Sequence, residues 1–175
     1  PIHLRHEISM KDAILHTYAF NLTYAKRLVD DVPDDLMAAH PAVDGHIIPN
    51  HAAWVIGHLA NTSAGFGTKL LGIDSIARED WGPLFGGGST PIAGAANYPT
   101  KQTLIEALEQ AHAAIAEAFP RTTDARFAQS NPNDRLRPIF PTVGDMITFI
   151  MTSHETTHLG QISACRRALG LPSVF

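Results

Sequence analysis

One cysteine, Cys165, stands in 175 residues. No intrachain disulfide can therefore staple the chain, and a reducing compartment, the cytoplasm, is expected. No run of about 18 apolar residues occurs, which excludes a membrane-spanning helix. Basic residues are few: 13 Lys and Arg against 17 Asp and Glu leave a net charge of −4. A nucleic-acid partner gripped by a basic face is thereby disfavoured. The first residues, PIHLRHEISM, lack the basic-then-apolar order of a secretory leader. Internal repeats are missing too, and the Gly86-Gly87-Gly88 run is the sole low-complexity tract. Hydrophobic residues make up 45% of the chain, enough to build one core, so a single domain over 1–175 is expected. What the chain has in excess is histidine, ten in all. Neutral imidazole is a common metal ligand, so their placement carries the functional argument.

Four segments have helical periodicity. Ser9 and Asp12 form a capping box before a stripe of Ile14, Tyr18, Leu22, Ala25 and Val29, which Pro33 closes. A second helix is predicted to start near Pro49-Asn50 and run to Gly72. Val55, His58, Thr62 and Phe66 lie along its inner stripe, and Gly65 and Gly67 mark a close helix contact. Thr100 caps a third helix, with Leu104, Leu108, Ala111, Ile115 and Phe119 facing inward. Thr142 and Asp145 form another capping box, and the fourth helix continues to Leu169, with Gly170 as its C-cap. No segment reads as a strand. The stretch from Ile73 to Pro99 holds too much glycine and proline for a helix. It is long enough to traverse a helix of about 30 Å. Helices two and three can thus run parallel, and the predicted architecture is an all-α four-helix bundle, up-down-down-up, with a long crossover between helices 2 and 3. Trp81 to Phe85 is predicted to border the functional cleft as an apolar wall.

The fourth helix contains HETTH, His154 to His158, the letters of a zinc-protease motif with Glu155 as general base. His154 and His158 are one turn apart and can share an ion. A catalytic site needs a third protein ligand, which zinc proteases take from beyond the motif. Here the seventeen residues after His158, LGQISACRRALGLPSVF, contain no His, Asp or Glu. Cys165 is about 10 Å further along the helix and reads as a core residue. The third ligand must lie upstream, and His58 is the best candidate. His51, two turns earlier, is a fourth ligand, a pocket group or a helix-start residue. His112 lies off its helix's inner stripe and is expected in solvent or a groove. His3, His6, His16, His40 and His46 have no ligand-like spacing. Glu155, rotated about 100° from His154 around the axis, is a base or, with more weight, a partner to a neighbouring helix. Gln161 orients a ligand or contacts substrate, and Gly160 allows close packing.

The pair WVIGHLANT (54–62) and HETTHLGQISACRRALG (154–170) resembles the DinB-like superfamily. The crossover's Trp81, Phe85, glycine run and Tyr98-Pro99 are also similar to that family. The resemblance implies a four-helix bundle with a divalent metal on His58, His154 and His158. Imidazole suits zinc or nickel, and His51, Gln161 and Trp81 are expected to line the pocket or support the ligands. An ion so held acidifies a bound water or polarises a substrate oxygen. The resemblance further implies a metal-dependent hydrolase acting on a small molecule. Alternatives are an S-transferase or isomerase using a low-molecular-weight thiol such as bacillithiol, mycothiol or glutathione, and a stress-linked metal-binding protein without turnover. An anionic thiol would call for a cationic pocket, with Lys69, Arg135, Arg137, Arg166 and Arg167 as candidates. A homodimer is compatible with this reading.

Overall fold

The fold is a computed structural model in which residues 9–174 are described; the expectations for His3 and His6 lie outside them. Helix α1 (Met10–Asp30) opens with the Ser9–Asp12 capping box in place. Helix α2 (Ala52–Phe66) continues into a π turn, Gly67–Leu71, and ends at left-handed Gly72. After a short α3 (Trp81–Phe85), Thr100 caps α4 (Lys101–Ala118). A four-residue α5 (Asp124–Phe127) precedes α6 (Val143–Phe149), which the Thr142–Asp145 capping box starts. A π turn, Ile150–His154, joins α6 to α7 (Glu155–Ala168). Two features were not expected. Ala42–Val43 (β1) and His46–Ile47 (β2) pair antiparallel around positive-φ Asp44 and Gly45, too short a pair for alternation to reveal. The cap of α2 is His51, whose Nδ1 accepts the Trp54 amide at 3.2 Å, and not Asn50.

Long-range bonds fix the helix directions. Lys11, at the start of α1, donates to the carbonyl of Thr122 beyond α4, and Lys101, at the start of α4, donates to those of Val29, Asp30 and Val32. Helices α1 and α4 are therefore antiparallel. Asn21 reaches Met151, and Arg166 reaches Leu28 and Asp31, so α1 and α7 are parallel. Asn50 meets Gln161 while His58 meets His154, which makes α2 and α7 antiparallel. The order is up-down-down-up, as predicted, with the crossover joining parallel α2 and α4.

The core falls into two apolar clusters. One is centred on Leu28, Ile56, Leu59, Leu104 and Leu108, the other on Leu70, Ile115, Phe119, Met146 and Ile147. Of the suspected glycine contacts, an added Cβ at Gly67 would crowd Ile73 at 2.6 Å, whereas Gly65 and Gly160 have open space. The tightest approach is elsewhere: a Cβ on Gly57 would stand 2.2 Å from the Phe85 ring. That glycine lets α3 lie directly on α2.

Candidate metal centre

The π turn decides what helix α7 presents. A π turn holds one more residue than an α turn and so shifts the facing by about one position. The apolar stripe of Ile147 and Ile150 passes into Met151, Glu155, Leu159 and Ile162, all 1% exposed or less. His154, His158 and Gln161 are left half-buried on the flank that meets α2. Opposite them, His58 is 7% exposed.

One nitrogen from each of His58, His154 and His158 lies within 4.8 Å of the others. Two of the three rings have an assigned second nitrogen. His58 Nδ1 is 2.7 Å from the Phe85 carbonyl, which can only accept, so this nitrogen bears the proton. His158 Nδ1 is 2.9 Å from Gln161 Oε1, which also accepts from Asn50 Nδ2 at 3.0 Å. That arrangement leaves His158 Nδ1 as donor and its Nε2 with a lone pair. Metal-binding histidines are commonly oriented in this way. His58 Nε2 and His154 Nε2 are 3.3 Å apart. Two nitrogens each about 2.0–2.1 Å from one tetrahedral ion would be separated by about that distance. The donor set and its spacing fit a divalent cation.

Burial also keeps these rings neutral and able to ligate. It pushes His58 down to about 4 and His154 down to about 3, with the other imidazoles of the group adding repulsion. His158 is lowered by burial, against an opposing bond to Gln161. Trp54 stacks flat on His58, with ring centroids 4.7 Å apart, and covers one side.

His51 is brought to the base of α2 but has no nitrogen to spare. Nδ1 caps the helix and Nε2 donates to the Ile92 carbonyl at 3.0 Å. Burial lowers its pKa to about 4. Trp81 lies against Phe85 and borders a groove with Ala60, Ala64 and Ala107, outside the residues that line the cleft beside the histidines. The crossover reaches that cleft through Gly87 and reaches the histidines through the Phe85 carbonyl. Glu155 turns away from the three histidines into the core, where His112 Nε2 is 2.8 Å from its Oε1. The expectation of His112 in solvent or a groove is corrected: it is 4% exposed and stacks on Tyr18 with centroids 3.7 Å apart. A buried carboxylate on α7 supplies the partner that its own helix could not reveal. Of the outlying histidines, His16 and His46 are exposed, and His40 packs beside His51. Cys165 is buried and free.

A cleft of about 490 Å³ opens from His58 and His154 toward Lys69 and Arg135. Arg137 and Arg166 are bound up elsewhere, on Asp134 and Asp31. Among the described residues no helix is long and apolar enough to cross a membrane.

The family model of the DinB superfamily matches residues 18–162, a span that contains all three histidines. Among solved structures, YfiT from Bacillus subtilis is similar at 18% identity and a TM-score of 0.59. The match covers 96% of this chain and 93% of that one. That protein is described as a probable metal-dependent hydrolase with an unusual four-helix bundle topology; at this identity the likeness is one of fold. No curated protein matches the chain.

Proposed function

Because this chain belongs to the DinB superfamily, we propose that it is a metal-dependent enzyme, in first place a hydrolase, with one divalent ion held by His58, His154 and His158. The observation that carries this reading is the pair of His58 and His154 Nε2 atoms, 3.3 Å apart, beside a third imidazole and with no carboxylate in the group. A structural ion is normally enclosed by four protein ligands, whereas three leave a position for substrate. Zinc and nickel both suit imidazole. The ion would supply Lewis acidity toward a substrate oxygen. Phe85 and Gln161 hold two rings in the ligating tautomer, Trp54 keeps water from one face of His58, and the cleft admits a small molecule. The likeness to YfiT, itself described as a probable metal-dependent hydrolase, supports the same reading.

A second reading, transfer or isomerisation with a low-molecular-weight thiol, is favoured by a specific lack. No Asp or Glu is among the described residues lining the cleft, and Glu155 is committed to His112. Water needs a base to become a nucleophile, whereas a thiol is far more acidic and needs less help. The test runs both screens on zinc- and nickel-loaded protein: ester, amide and phosphoester substrates alone, then electrophiles with each thiol. Hydrolysis lost in His154→Ala supports the first reading. Turnover that requires a thiol and is lost in His154→Ala replaces it with the second. Metal binding is read separately in a Trp81→Phe background, where cobalt should quench Trp54 because of its stacking on His58.

A further inference from the structure

The cleft beside the histidines has an uneven charge lining. Its walls combine apolar Phe66, Met146, Phe149 and Ile150 with uncharged polar Asn61, Thr62 and Asn133, and its ionisable lining besides His58 and His154 is Lys69 and Arg135. Both are exposed. In a chain of net charge −4, unpaired cations around an acid-free cleft need a reason. Six other lysines and arginines are in ion pairs with acids. Arg78 lies over the Trp81 ring, and Arg126 donates to the Lys69 and Leu70 carbonyls. Among the described residues no such partner engages the side chains of Lys69 and Arg135.

The backbone that presents each cation is fixed. Arg126 Nη2 and Nε hold the carbonyls of Lys69 and Leu70 at 3.1 and 2.9 Å. Arg135 lies in a turn built on Asn131, which is fully buried, and on Asn133, whose side chain accepts the Leu136 amide. The base of each cation is therefore anchored while its charged end is left for something else. Lys69 is eleven residues past His58 on the same helical run, or about 16 Å of rise. A ligand meeting both ends of the cleft must be elongated.

We infer that the substrate carries an anionic group, a carboxylate or a phosphate, held by Lys69 and Arg135 while its reacting end meets the metal site through His58 and His154, which line the same cleft. The inference rests on the metal reading above. Arginine gives the anion two parallel donors and lysine a point charge, and the apolar side chains of the lining accommodate a hydrocarbon or ring.

The test uses cobalt-loaded protein and hydroxamates of increasing chain length, which grip the ion at one end. Each carries a carboxylate, a phosphonate or an uncharged methyl ester at the other. Binding is read from the cobalt absorption spectrum. At one chain length, an anionic tail should bind about fivefold tighter than its ester at low salt. This advantage should shrink as ionic strength rises. The double variant Lys69→Gln/Arg135→Gln should erase the advantage and leave ester binding unchanged. The tighter of the two anionic tails identifies the group as carboxylate or phosphate. Equal binding of acid and ester at every length overturns the inference while the metal reading stands, and so does an advantage that survives the double variant. Protein that takes up no cobalt overturns both.

Discussion

His154 and Glu155 are neighbours in the chain, yet each meets a histidine under opposite terms. His154 faces His58 and His158 with no carboxylate in the group. Its nearest imidazole nitrogen is one that it can only repel if both are charged, so burial leaves the rings neutral with lone pairs free. Glu155 faces His112 across 2.8 Å in a space closed by Tyr18. There, acid and base are paired through Glu155 Oε1, while Oε2 is buried without a hydrogen-bond partner. Burial raises the Glu155 pKa, while His112 draws it back down. The count of histidines was a poor guide to ligation. What separates the two regions is whether a carboxylate stands close enough to engage the ring: Glu155 does so for His112, and none does in the group of three.

The comparison breaks most completely at the metal. Alanine at His58, His154 or His158 should abolish stoichiometric metal after mild dialysis, measured by elemental analysis, whereas His112→Ala should retain it in the folded protein. A variant of the trio that keeps full metal content contradicts the assignment. The next largest effect lies on the other side. Glu155→Ala leaves the His112 ring without its buried partner and should cost about 1–3 kcal/mol in urea denaturation. The double variant with His112→Ala should cost less than the sum of the two single changes, because the pair acts as a unit. Additive losses would mean that the pair contributes nothing as a pair.

Gln161→Leu sharpens the comparison further by leaving the ligands in place and removing the acceptor that orients His158. Metal affinity should fall about 10–100-fold in a chelator competition. An unchanged affinity would make that bond incidental. The smallest effect is in the pH dependence of the metal-free protein. His58 and His154 have folded pKa values below the unfolded value of about 6.5. Their neutral forms therefore contribute stability above that pH, and it is lost as pH falls toward about 4 and about 3. Between pH 7 and 6 the loss is about 0.7 kcal/mol per imidazole. Glu155, with a raised folded pKa, works in the opposite sense: protonation favours the folded state below that pKa. Denaturation midpoints in a His58→Ala/His154→Ala variant should thus depend less on acid than those of the wild type, and an equal dependence would place the titration elsewhere.

The bundle, its direction pattern and the three histidines were legible because they are written in local signals. Two capping boxes, proline and glycine boundaries, and a crossover of helix-spanning length each act within a few residues or through simple distance. His58 was reached by elimination after the C-terminal tail of HETTH proved empty of ligands. The π turn at Ile150–His154 was not legible. Periodicity read straight through it made His154 and His158 the innermost stripe, when Glu155 and Leu159 occupy that place. The burial of His112 was hidden for another reason, its place off the inner stripe of its own helix, whereas the favoured role of Glu155 as a partner to a neighbouring helix is the one the structure shows. Gly57 carries no periodic signal at all. Its importance lies in a ring from twenty-eight positions later resting on it, and only tertiary structure records that.

The crossover, described above as a connection, would also tie the proposed metal's occupancy to chain opening. Its carbonyl at Phe85 holds the His58 proton, Ser89 Oγ accepts from the Trp54 indole at 2.9 Å, and the Ile92 peptide is pinned by His51 on one side and the Tyr98 hydroxyl on the other. Lifting this segment would free His58 to rotate and uncover the face that Trp54 shields. An ion favouring the closed arrangement must, by reciprocity, be favoured by it to the same extent. Loop breathing and metal exchange would then share one free-energy difference.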